Sequence, residues 1–171
     1  MAHTVEPSLE VPAQHPYLPE IQGERDGWRA VIGMVRQLTP AECVVPGYYT
    51  DPDWTVRDVI AHLGTWLAEA QIQLERMDAG TYEGHDIDID AMNAVFLESM
   101  RGQPWEVAWV QAHSARTRML TEWYAHMDRT DEAAWWIHKA GSEHYAEHAG
   151  RLAEWVDELI ARRTANDEGT L

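Results

Sequence analysis

The chain has 171 residues, 45% of them hydrophobic, enough for one domain with a sizeable core. Its 29 acidic and 13 basic residues give a formal charge of −16, so phosphate backbones and acidic membrane surfaces are repelled, and neither nucleic acid nor a membrane is expected as a partner. The single cysteine, Cys43, excludes an internal disulfide and a Cys-rich zinc module, no apolar run approaches the ~20 residues of a membrane span, and the first residues lack the basic start and apolar core of a secretory leader, so a cytoplasmic location is expected.

Residues 1–19 hold Pro7, Pro12, Pro16 and Pro19, and proline lacks the donor that helices and sheets need, so this stretch reads as an extended arm. A single domain is expected over 20–163, followed by a polar tail over 164–171. Inside the domain the apolar period is helical. Ile21, Trp28, Val31, Ile32, Val35 and Leu38 predict a helix near 20–38 that Thr39-Pro40 stops. A second helix starts after Asp53 and Trp54, with Thr55 and Asp58 spaced as a capping box, and runs to about Asp78. A third pattern near 88–127 is broken at Gly102-Gln103-Pro104, and a fourth spans about 139–163. No stretch alternates as a strand would, and no repeat is present. Four long helical segments with modest links predict an all-α, up-down four-helix bundle.

The residues that suggest chemistry are histidines. His144 and His148 are four apart, so on a helix they leave one face about one turn, roughly 6 Å, from each other. They share a stripe with Leu152, Trp155 and Leu159, and His62 shares one with Val59 and Trp66, so all three rings are expected to point inward. An unpaired buried imidazole is costly, and one divalent cation can satisfy three. The competing reading is that each ring bonds to a nearby backbone group or carboxylate. Glu143 and Glu147 flank the pair but are expected to point elsewhere on the helix, as surface charge or as acceptors for an imidazole N–H.

Other candidates are weaker. His3 and His15 lie in the arm, and His113, His126 and His138 are isolated and read as surface or core-edge residues. His85 belongs to the acidic run GHDIDID, which lacks the central Gly and final Glu of a calcium-binding hand. Cys43 reads as a buried, inert thiol. Nine tryptophans against one phenylalanine suit both core packing and pocket walls. Trp54, Trp66, Trp105 and Trp109 are candidate walls, with Asn93 and Arg116 placed to orient polar substrate groups.

Three stretches carry a resemblance: WTVRDVIAHLGTW, where the second helix opens with Trp and carries a His eight residues later; HYAEH on the last helix; and IDAMNAVFLESMRGQPWEVAWVQAHSARTRMLTEW between them. In these the chain resembles the DinB/YfiT-like superfamily over roughly residues 20–160, and the middle stretch is similar to its ClbS/DfsB branch. The resemblance implies a bundle with a three-His site, ligands His62, His144 and His148, holding zinc, nickel or another divalent ion, in a protein that forms homodimers. It also implies chemistry on a small-molecule substrate. Relatives include thiol-dependent transferases, metal-dependent maleylpyruvate isomerases and self-resistance proteins that open a reactive cyclopropane by hydrolysis. The isomerase branch has Gly-Trp before the second helix where this chain has Asp53-Trp54, and it carries a second domain not seen here, which favours the ClbS-like branch. A metal-dependent enzyme of detoxification, self-resistance or secondary metabolism is expected. It would work by hydrolysis or by transfer of a low-molecular-weight thiol. The alternatives are a protein that sequesters the same molecule without turnover, and a mycothiol-dependent isomerase.

Overall fold

The computed structural model describes residues 18–50, 53–84, 86–125 and 131–168; most of the expected arm, along with His85 and His126, lies outside them. The described residues are all-α apart from one short ribbon. The elements are α1 (Leu18–Val35), β1 (Tyr49–Thr50), β2 (Asp53–Trp54), α2 (Val56–Asp78), α3 (Ile89–Met100), α4 (Trp105–Ala125), α5 (Asp131–Ile137) and α6 (Glu143–Glu168). A 3₁₀ turn at Glu42–Val44 precedes the ribbon, and a π-helical stretch at His138–Ser142 joins α5 to α6.

Local sequence explains most boundaries. Pro19 sits in the first turn of α1, where a missing N–H costs nothing, so the helix starts slightly earlier than the proline count suggests. At α2, the Thr55 side chain accepts from the Asp58 N–H and the Asp58 carboxylate accepts from the Thr55 N–H at 2.8 Å, a complete capping box. Asp88 caps α3, its carboxylate accepting the Ala91 N–H at 2.9 Å, so one acid of the GHDIDID run has a helix-capping role. Gly102, at φ +75°, and Pro104 separate α3 from α4.

Two expectations need correction. The ribbon pairs Tyr49 with Trp54 and Thr50 with Asp53, antiparallel. Two residues per strand are too few for alternation to register. The last helical pattern does not begin at 139: helix starts at Asp131 and passes through the π-helical stretch. It then continues to Glu168, so residues 164–168 of the expected tail are helical.

The core follows from the helical stripes. Ile21, Trp28, Val31, Ile32 and Val35 of α1 pack with Val59, Leu63, Trp66, Leu67 and Leu74 of α2, Met119 and Trp123 of α4, and Leu152, Trp155 and Leu159 of α6. Five tryptophans (Trp28, Trp66, Trp123, Trp136 and Trp155) are buried, so most of the indole content is packing. The α2–α4 pair is the most extensive. Gly64 permits it: a Cβ there would sit 2.8 Å from the Ala112 Cα.

A buried ion pair ties α1 to α4. Arg116 Nε and Nη2 donate to the two carboxylate oxygens of Glu24, both at 2.7 Å, and Tyr145 on α6 donates to Glu24 Oε1 at 3.0 Å. The guanidinium lies 5.3 Å from the Trp28 ring centroid. Arg116 is thus a fully engaged internal residue, contrary to the expectation that it orients a substrate.

Candidate metal centre

His62 comes from the second turn of α2, and His144 and His148 from the first two turns of α6. Both helices turn their apolar stripes into the shared core, so the three rings meet there, and all three are buried. Ring centroids are 4.7 Å apart for His62 and His144, 5.4 Å for His62 and His148, and 5.0 Å for His144 and His148. His62 Nε2 and His144 Nε2 are 2.9 Å apart, and the three donor nitrogens all lie within 4.8 Å of one another. With metal–nitrogen bonds of ~2.1 Å, two ligands of one ion sit up to ~4.2 Å apart, so small ring rotations suffice. The group can hold a metal ion.

Electrostatics point the same way. Burial pushes the pKa of His62 down to about 3, with the neighbouring His148 adding to it, and that of His144 down to about 2, with His62, His148 and Lys139 adding. His148 is lowered as well, by burial, against the opposing pull of the Glu147 carboxylate. All three imidazoles are therefore neutral near pH 7, the form that donates a lone pair to a cation. The Nε2 atoms of His62 and His144 face each other directly.

The site opens into a cleft of about 400 Å³. Trp54 stands edge-on to His62 at 5.3 Å, and Trp66 edge-on to His144 at 6.1 Å. The opposite wall is α3, through Ile89, Asn93, Ala94 and Leu97. Trp66 Nε1 donates to Asn93 Oδ1 at 2.9 Å, which fixes the amide with its NH₂ turned away from the indole. At the rim, Lys139 donates to Glu143 at 2.9 Å and lies 3.6 Å from Glu147. The Glu143 hydrogen bond and the Glu147 charge outweigh partial burial and raise the Lys139 pKa, so the amine stays an ammonium.

The structure brings His62, His144, His148, Trp54, Trp66 and Asn93 to one cleft. Trp105 and Trp109 do not line it; they stack on each other at 5.3 Å, and Trp109 packs on His113 at 4.4 Å. Their positions on α4 put them on a face turned toward α1 through Trp28, which meets His113 at 5.1 Å. His113 is therefore half-buried in an aromatic stack. Arg116 is likewise absent from the cleft. Glu147, expected to point away, lines it, because Lys139 draws its carboxylate across the rim. Cys43 is buried and its thiol pushed up to about 12, as an inert thiol should be.

Five residues at or beside the site lay outside the sequence reading: Lys139, the α3 wall residues Ile89, Ala94 and Leu97, and Tyr48. Tyr48 is buried, and its hydroxyl lies 3.3 Å from His148 Nδ1. The Gly47-Tyr48-Tyr49 run just before the second helix is the signal that marks it.

No family model matches the chain, and no curated protein matches it. Among solved structures it is similar to an uncharacterised protein from Escherichia coli UTI89, with a TM-score of 0.68 and 16% sequence identity, over 88% of this chain and 97% of that one. At that identity the likeness is one of fold.

Proposed function

We propose that this chain is a DinB/YfiT-like protein of the ClbS/DfsB kind. Its α1, α2, α4 and α6 form an up-down four-helix bundle whose His62, His144 and His148 hold zinc or nickel. In this reading it is an enzyme that acts on a reactive small molecule by hydrolysis or thiol transfer. The observation that carries the reading is the meeting of three buried, neutral imidazoles at the floor of an open cleft.

A divalent cation held there supplies Lewis acidity, bringing the pKa of a water or thiol toward neutrality. The rest of the work falls to the chain itself. The three histidines would hold the ion at the floor of the cleft, within reach of a bound molecule. Trp54 and Trp66 on one side and Ile89 and Leu97 on the other suit a flat, largely apolar body. The Asn93 NH₂ and the Lys139 ammonium are donors for acceptor oxygens on the molecule, and the apolar walls exclude bulk water.

The test uses zinc-loaded protein with a strained-ring electrophile, an epoxide or activated cyclopropane, with and without a small thiol. Products are followed by mass spectrometry. Multiple turnovers that disappear in His148→Ala support the reading. Loss of the electrophile capped at one equivalent with no modified product would make the protein a sequestering one, and turnover unchanged in His148→Ala would remove the site from the chemistry.

A further inference from the structure

Resting on the reading of this cleft as a small-molecule site, we infer that Asn93 is a binding residue for a carbonyl oxygen, so that the molecule taken up is a flat, largely apolar carbonyl compound (a ketone, ester or amide) and not a hydrocarbon or an amine.

The Asn93 amide can face only one way. An indole N–H donates and never accepts, so the 2.9 Å contact from Trp66 Nε1 must be to the amide oxygen. The NH₂ is the end left over, and no group among the described residues accepts from it. Trp66 is itself fixed. It is 4% exposed, edge-on to Phe96 at 5.5 Å and to His144 at 6.1 Å. A donor pinned to a packed partner keeps its direction with little further ordering cost.

The surroundings turn that donor into a selector. The α3 residues that line the cleft are Ile89, Asn93, Ala94 and Leu97, which recur at helical spacing and form one face. Asn93 is the polar member in the middle of that apolar stripe. It is half-buried, so its NH₂ is hydrated until an apolar body settles between α3 and the two tryptophans and takes the water away. A donor stripped of water and given no acceptor loses more than an ordinary hydrogen bond gains. A molecule with an oxygen at that point restores the bond, and one with C–H or N–H there does not. An unmet donor of this kind separates ligands of one shape far better than apolar walls do.

The rest of the lining has the same polarity. Nε1 of Trp54 is buried without an acceptor among the described residues, and Lys139 presents an ammonium. Glu147 is the one carboxylate of the lining, and it already faces Lys139 at 3.6 Å. Apart from the imidazoles, the cleft thus offers donors and keeps its acceptor engaged, a pattern that admits carbonyl groups and opposes N–H groups turned toward α3.

The test is NMR titration of metal-free, ¹⁵N-labelled protein with 1-indanone and with indane, two flat molecules of one shape that differ by the carbonyl oxygen. The Asn93 NH₂ protons are expected to move downfield with 1-indanone, beyond the ring-current shift that both compounds share. In Asn93→Leu, which keeps the shape of the side chain, affinity for 1-indanone relative to indane is expected to fall about 3- to 10-fold. Wild-type NH₂ protons that respond alike to both compounds would overturn the inference, whether or not the variant folds. So would a folded Asn93→Leu with the wild-type preference, or a wild-type protein that binds neither compound. Zinc takes no part in these titrations. A preference for 1-indanone that depends on Asn93, in a protein that takes up no zinc, would overturn the metal reading and leave this assignment standing.

Discussion

At the scale of single residues, buried charge and buried imidazole behave differently here. Glu24 and Arg116 are both buried, and each satisfies the other in a two-pronged contact. Such a pair is costly to break from one side, because the survivor is an uncompensated charge in a low dielectric. Arg116→Met should therefore lower stability by about 3–5 kcal/mol in urea titration, well beyond the change expected of a cleft residue, and should leave zinc binding by the folded protein intact. His113 is the opposite case. Burial, with help from the charges of Arg36 and Arg116, pushes its pKa down to about 4. Above its ordinary value near 6.5 the folded and unfolded chains are both neutral at this ring, but below it only the unfolded chain takes a proton. Stability is thus lost as pH falls from about 6.5 toward about 4. The expected result is a urea midpoint that drops less between those limits in His113→Gln than in the wild type.

The same scale shows what sequence can convey. His62, His144 and His148 were legible because helical spacing ties each to an apolar stripe, and stripes find each other when helices pack. Arg116 misled because its acidic partner sits 92 residues away on α1, and no local pattern announces that pairing. Tyr48 and Lys139 were hidden in irregular backbone. Tyr48 lies on a turn with no period, and Lys139 lies in the π-helical stretch, where one extra residue shifts the helical register on which the reading depended.

At the scale of elements, α2 is the organising helix. Its start is fixed locally, and Thr55→Ala should cost about 1 kcal/mol by removing one half of the capping box, read as a lower thermal midpoint. Its packing is fixed by absence of a side chain. Gly64→Val would drive atoms into the backbone of α4 at Ala112 and should destabilise by at least ~1–3 kcal/mol in denaturant titration. Neither change touches a histidine, yet His62 lies two residues before Gly64, so the second should also weaken zinc binding while the first should not. The helix boundaries marked by Thr55, Asp58, Gly102 and Pro104 were readable because capping and breaking are local events. The ribbon and the α5 start were not, because each depends on tertiary contacts, the ribbon on Arg151 and Trp155 of α6.

For the whole molecule, the formal charge of −16 sets the background against which the cleft works. Like charges spread over one compact surface repel, and salt screens them over ~10 Å at 0.1 M. Thermal stability should therefore rise between low and moderate sodium chloride concentrations, and a flat response would show that the acidic surface is already balanced by its ion pairs. Among the described residues no helix is long and apolar enough to cross a membrane. The acidic exterior, the aromatic cleft and the neutral imidazole floor together define a place where a cation would be favoured by the surrounding field and met by donors that need no deprotonation.

That grip is the claim on which the rest stands, and anomalous X-ray scattering from crystals of untagged, zinc-soaked protein tests it most directly. The expected result is one zinc peak within ~2.1 Å of ring nitrogens from His62, His144 and His148, absent in His148→Ala. A wild-type map with no peak between these three rings, or a peak of full height that survives in His148→Ala, would contradict it.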